Sequence, residues 1–74
     1  MIYSRVKILA AEREHQDGRH IGPGVLSNEM DLRRPTISRW FSPRPMRYVD
    51  GVVLQKFCEY FGVGVEDVIE VRKS

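Results

Sequence analysis

The chain has little that could staple it shut, anchor it in a bilayer or hold a metal. Cys58 is its only cysteine, so no internal disulfide can form. A single cysteine behind no apolar leader fits a reducing cytoplasm better than a secreted scaffold. Met1-Ile2-Tyr3 runs straight into a charged stretch, and the longest apolar runs are a few residues, against the roughly 20 that a membrane-spanning helix needs. No membrane association is expected. His15 and His20 flank a loop with no cysteine near them and no second pair, which is not zinc-site spacing. No Ser/His/acid set or carboxylate pair has a framework around it, so neither an enzyme nor a metal or cofactor is expected. Repeats and low-complexity segments are missing too. At 74 residues, the chain is read as one domain, 1–74, burying only about 60% of its unfolded surface.

Acids are missing where bases are densest. Twelve Lys and Arg against ten Asp and Glu give a net charge of +2, which says little. The distribution says more: Arg33, Arg34, Arg39, Arg44 and Arg47 fall in a stretch, 33–47, without one Asp or Glu. A basic centre between near-neutral flanks is an electrostatic footprint for phosphate.

What is present reads as helices. Ile2, Val6, Leu9 and Ala10 recur at helical spacing, which predicts a first helix from Ser4, as N-cap, to about His15. Gln16 to Gly24 is rich in breakers, with Asp17-Gly18 and Gly22-Pro23-Gly24. A short helix follows over Val25–Met30, with Leu26 and Met30 on its inner face. Asp31 then tolerates a left-handed turn. A third helix fits Arg34–Phe41, with Pro35 in its first turn and Ile37, Trp40 and Phe41 as its stripe. Ser42-Pro43-Arg44-Pro45 ends it. Asp50 suits an N-cap, with Val49 placed to staple onto Leu54. Leu54, Phe57, Cys58 and Phe61 form the stripe that Gly62 stops. Gly64 opens a short fifth helix, carrying Glu66 and Asp67 in its first turn. Val71 to Ser74 is expected to fray. The sum is five helices around one core in which Val6, Leu9, Ile37, Trp40, Leu54, Phe57 and Phe61 meet. Cys58 is expected to be inert packing.

The run Leu26-Ser27-Asn28-Glu29-Met30-Asp31-Leu32-Arg33-Arg34-Pro35-Thr36-Ile37-Ser38-Arg39-Trp40 resembles the helix-turn-helix of the Cro/C1-type, phage-repressor-like family. Phe61-Gly62-Val63-Gly64-Val65 into Glu66–Ile69 resembles that family's closing turn and last helix. The likeness covers roughly residues 2 to 70, with the motif itself at about 24–41. Three features depart from the pattern. Asp31 stands for the turn glycine, Arg33 for the capping serine, and Gly22-Pro23-Gly24 for a Gln-rich helix start after a long loop.

The resemblance implies an all-α, five-helix, lambda-repressor-like fold that binds double-stranded DNA and regulates transcription, as a repressor of bacterial or phage type. Its second motif helix would lie in the major groove with its N-terminal residues at base edges. The base-contacting residues would then be Arg33, Arg34, Pro35, Ser38 and Arg39, and the phosphate contacts Thr36, Arg44 and Arg47. One such helix reads few base pairs, so a homodimer on a palindromic operator is expected. Val63, Val65, Ile69 and Val71 are the candidate interface. Against this stands a protein-interaction module of the same fold, an antirepressor or antitoxin-like subunit. As plain surface residues, Arg34 and Arg39 would instead pair with Glu29 or Asp31.

Overall fold

In the computed structural model, which describes residues 1–73, the two ends of the chain meet. Strand β1 (Ile2–Ser4) pairs antiparallel with strand β2 (Ile69–Val71), with Ile2 opposite Val71, Tyr3 opposite Glu70 and Ser4 opposite Ile69. A backbone bridge then joins the far side of β1 to Met46, whose N–H donates to the Ile2 carbonyl at 2.8 Å. This small sheet corrects two expectations. Ser4 ends a strand instead of capping a helix, although its hydroxyl accepts from the Val6 N–H at 3.1 Å. The tail is tied down at Val71 and Arg72, because the Arg72 N–H donates to the Met1 carbonyl at 2.9 Å and the Met1 amine donates back to the Arg72 carbonyl at 2.7 Å. Ser74 lies outside the described residues.

The five helices between the strands follow the sequence signals closely. Helix α1 (Val6–Asp17) runs two residues past His15 and stops at Gly18, whose φ of 67° is a left-handed cap. Helix α2 (Pro23–Met30) begins two residues ahead of Val25 because Pro23, lacking an N–H, fits the first position. Helix α3 (Arg34–Phe41) has the expected bounds. Helix α4 (Gly51–Phe61) is capped by Asp50, whose carboxylate accepts from the N–H groups of Val52 and Val53. Helix α5 (Val65–Val68) is a single turn after Gly64.

The stripes converge on one core. Trp40 of α3 tilts against Phe57 of α4 with ring centroids 5.1 Å apart, and Phe57 stacks on Phe61 at 6.4 Å. Val6, Leu9, Leu26, Ile37 and Val68 close around them. Leu54 is half-buried, and Val53 fills the deeper place. Ile21 and Met46 are also core, although both sit in connecting segments. Cys58 is half-buried on α4, and burial pushes its thiol pKa up.

Candidate nucleic-acid interface

Two helices and a tight turn build the site. Asp31 ends α2 at φ 55° and ψ 48°, the left-handed turn expected of it, with its N–H donated to the Ser27 carbonyl. The Leu32 N–H donates to the same carbonyl at 3.1 Å, and the Ser27 hydroxyl donates to the Leu32 carbonyl. One residue, Ser27, thus holds both ends of the turn. Leu32 packs against the core beneath it. Arg33 sits at the N-cap of α3 in extended conformation and makes no side-chain cap. The first turn of α3 therefore keeps its N–H groups and its positive dipole end free.

Ile37 and Trp40 face inward, and Trp40 is only 2% exposed, which makes it a core residue and not a stacking platform. The opposite face carries Arg33, Arg34, Pro35, Ser38 and Arg39, all exposed, with Thr36 half-buried at its margin. The structure brings these six together along the outer side of α3, from its N-cap to its last turn. Among the described residues, none of Arg33, Arg34, Arg39, Arg44 and Arg47 forms an ion pair. Glu29, a possible surface partner for them, is occupied elsewhere. Arg19 grips it through two hydrogen bonds at 2.8 and 3.1 Å, and the Tyr60 hydroxyl donates to it at 2.7 Å. Those donors, Arg19 first, hold its carboxyl down to about 2. Burial, and then the bond to Glu29, push the Tyr60 phenol up.

The loop after α3 extends the basic face. Arg39, Ser42, Arg44, Pro45, Met46, Arg47 and Tyr48 line an open cleft of about 370 Å³. The buried Met46 side chain and its bridge to Ile2 fix the middle of this loop, so Arg44 and Arg47 project from a pinned segment. Tyr48 was not anticipated from the sequence. It is 82% exposed between Arg47 and the α4 cap, and it also borders the neighbouring cleft beside Thr36 and Arg39. An exposed tyrosine next to arginines offers a hydroxyl to phosphate or a ring to sugar. Nothing in its local pattern marked it, beyond its place next to Arg47 at the end of the acid-free stretch.

At the other end of the face, the Arg34 guanidinium lies over Gly24, where a Cβ would stand 3.4 Å from it. Helix α2 starts there without a side-chain cap. His20, at the edge of this region, is 2.6 Å from Glu14, which also accepts from the Ile21 N–H at 2.8 Å.

A model of the Cro/C1-type helix-turn-helix DNA-binding domain matches residues 19–74. The chain belongs to that family. The matched span opens at Arg19 and takes in the whole helix-turn-helix, the cleft loop, α4, α5 and β2. No curated protein is significantly similar to this Cro/C1-type chain. Among solved structures, a candidate DNA-binding protein from Bacteroides fragilis is 27% identical, with a TM-score of 0.70. The alignment covers 95% of this chain and 100% of that one. The Cro/C1-type domain described here is accordingly a DNA-binding helix-turn-helix, with α2 and α3 as its two motif helices. No described helix is long and apolar enough to cross a membrane.

Proposed function

We propose that this Cro/C1-type domain is a sequence-specific transcriptional repressor of bacterial or phage type, acting in the cytoplasm as a homodimer on a palindromic operator. The observation that carries the reading is the exposed α3 face, whose arginines form no ion pair among the described residues. An arginine fork with its donors unused is matched to guanine O6 and N7 or to phosphate. Arg34 and Arg39, on the outer side of α3, read bases, with Arg33, Pro35 and Ser38 beside them. Arg44 and Arg47, with Thr36, hold phosphates. Phosphate contacts position the domain and base contacts specify the sequence.

An unbiased selection of bound duplexes, followed by titrations on cognate and scrambled DNA at several salt concentrations, tests this. The expected result is an enriched half-site repeated about a dyad and a log K that falls steeply with log salt. Absence of any salt-sensitive DNA binding would remove the reading and favour a protein partner for the same face.

A further inference from the structure

We propose that the cleft after α3 binds a free nucleoside triphosphate, its base stacked on Tyr48 and its phosphates on Arg39, Arg44 and Arg47, and that filling it releases DNA. The release rests on the DNA-binding reading above; the ligand site itself does not.

Duplex DNA accounts for only part of this cleft. A backbone phosphate satisfies an arginine fork, but a duplex keeps its bases stacked inside and brings no flat apolar group to the protein. Left unfilled is the apolar side of a space of about 370 Å³, formed by Pro45, Met46 and Tyr48. Tyr48 is 82% exposed. Among the described residues, no other ring and no guanidinium stacks on it. Ligand pockets measure about 300–1,000 Å³ and combine apolar walls with a few placed polar groups. The cleft meets both conditions.

The ligand class follows from the two halves. Three guanidinium forks that form no ion pair among the described residues match a group with several negative charges. Every nucleobase has a π-face, and an aromatic side chain accepts any of them. A nucleoside triphosphate joins both groups in one molecule. Its orientation is set as well. On the far side of Tyr48 the neighbouring cleft reaches Asp50, whose carboxylate caps α4 by accepting from the N–H groups of Val52 and Val53. That charge repels phosphate, so the phosphates lie on the Arg44 side.

The site is formed before anything enters it. Pro43 and Pro45 fix φ on both sides of Arg44. The Arg44 N–H donates to the Ser42 hydroxyl at 3.2 Å, and the Met46 N–H donates to the Ile2 carbonyl at 2.8 Å. A preformed site avoids part of the ordering cost of binding. Each arginine has one fork, so a triphosphate and a DNA phosphate cannot hold it together. The bound triphosphate also repels the DNA backbone. Competition follows.

Titration calorimetry with ATP, ribose 5-triphosphate and adenosine tests the site without DNA. ATP should bind about tenfold tighter than ribose 5-triphosphate, the contribution of one stacked base, and adenosine should bind weakest. Tyr48→Ala should bring ATP down to the level of ribose 5-triphosphate and leave the latter unchanged. Arg44→Ala or Arg47→Ala should weaken both about tenfold. Lys7→Ala removes an exposed positive charge outside the cleft and should change neither. All four variants should melt with the wild type. ATP that binds no tighter than ribose 5-triphosphate overturns the proposal, as does a loss with Lys7→Ala equal to that with Arg44→Ala. Fluorescence anisotropy on a selected duplex then reads the release. ATP at ten times its dissociation constant should weaken DNA binding about tenfold, compared with sodium chloride at the same ionic strength. ATP bound in the cleft with DNA affinity unchanged overturns the release. A chain that binds ATP but enriches no duplex removes the repressor reading and leaves the ligand site. DNA binding without ATP binding does the reverse.

Discussion

Two regions of this domain use arginine in opposite ways. At the corner where α1, α2 and α4 meet, every guanidinium is engaged. Arg13 lies 5.8 Å from the Tyr60 ring and 5.7 Å from the Phe61 ring, and donates to the carbonyls of Tyr60 and Phe61. Arg19 holds Glu29 in a two-pronged pair. Along α3 and the cleft loop, Arg33, Arg34, Arg39, Arg44 and Arg47 pair with no carboxylate among the described residues. Guanidinium carries five donors and is always charged. Where the chain supplies the acceptors, arginine stabilises the fold, and where it withholds them, the acceptors must come from outside. Net charge does not distinguish the two regions; partner geometry does.

The largest effect should come from breaking what the two regions share. Phe57 stands between Trp40 of the reading helix and Phe61 of the corner. Phe57→Ala should cost about 3–5 kcal/mol of stability, comparable to the whole stability of so small a domain. Thermal melting checks this, and a shift of only a few degrees would mean that the ring is no keystone. Next in size, Arg39→Ala should weaken the cognate site by about 1–3 kcal/mol and relax preference at one base position. Its melting temperature should stay at the wild-type value. Arg19→Ala sharpens the contrast by reversing both outcomes: a lower melting temperature and unchanged preference.

Smaller still, Arg44→Ala or Arg47→Ala should weaken cognate and scrambled duplexes alike, with the slope of log K against log salt shallower by about one unit per lost contact. A change in base preference would instead make them readers. The smallest effect belongs to Glu29. Its carboxyl is held down to about 2 in the folded protein, first by Arg19 and then by Tyr60. A depressed carboxyl contributes stability that is full above the ordinary carboxylate range and is lost as pH falls toward its folded value. The melting temperature should therefore drop between that range and about pH 2, and Glu29→Gln should flatten the drop. The pair is solvent-screened, so the change should be slight.

What was legible in the sequence was local. Helix α3 announces itself through Pro35, the Ile37-Trp40 stripe and the prolines that end it. The start of α4 is written in Asp50, whose carboxylate does bind the first-turn N–H groups. Asp31 signalled the left-handed turn that it makes. What was hidden depends on residues far apart in the chain. Strands of three residues carry too little alternation to declare themselves, and Ile2 and Val71 meet only after everything between them has folded. Met46, a single apolar residue among prolines and arginines, has no periodic neighbours to mark it as core. The Arg19–Glu29–Tyr60 cluster needs the loop between α1 and α2 to fold back, so the division of the arginines into two kinds could not be read from their positions.

Ile2 is bonded toward Met46 on one side and stands beside Val71 on the other, which makes it the strut between the chain ends and the cleft loop. The Met1–Arg72 bonds span a sequence separation of 71 residues, and contacts that close so long a loop form late and open early. When the ends fray apart, Met46 loses its backbone partner in the same event, and the segment carrying Arg44 and Arg47 loosens with it. Amide exchange at Met46 should therefore keep time with Arg72 and not with neighbouring α3, a unit of local unfolding that crosses the sequence from end to middle. Whatever stiffens the strands will also hold still the arginines beside the groove.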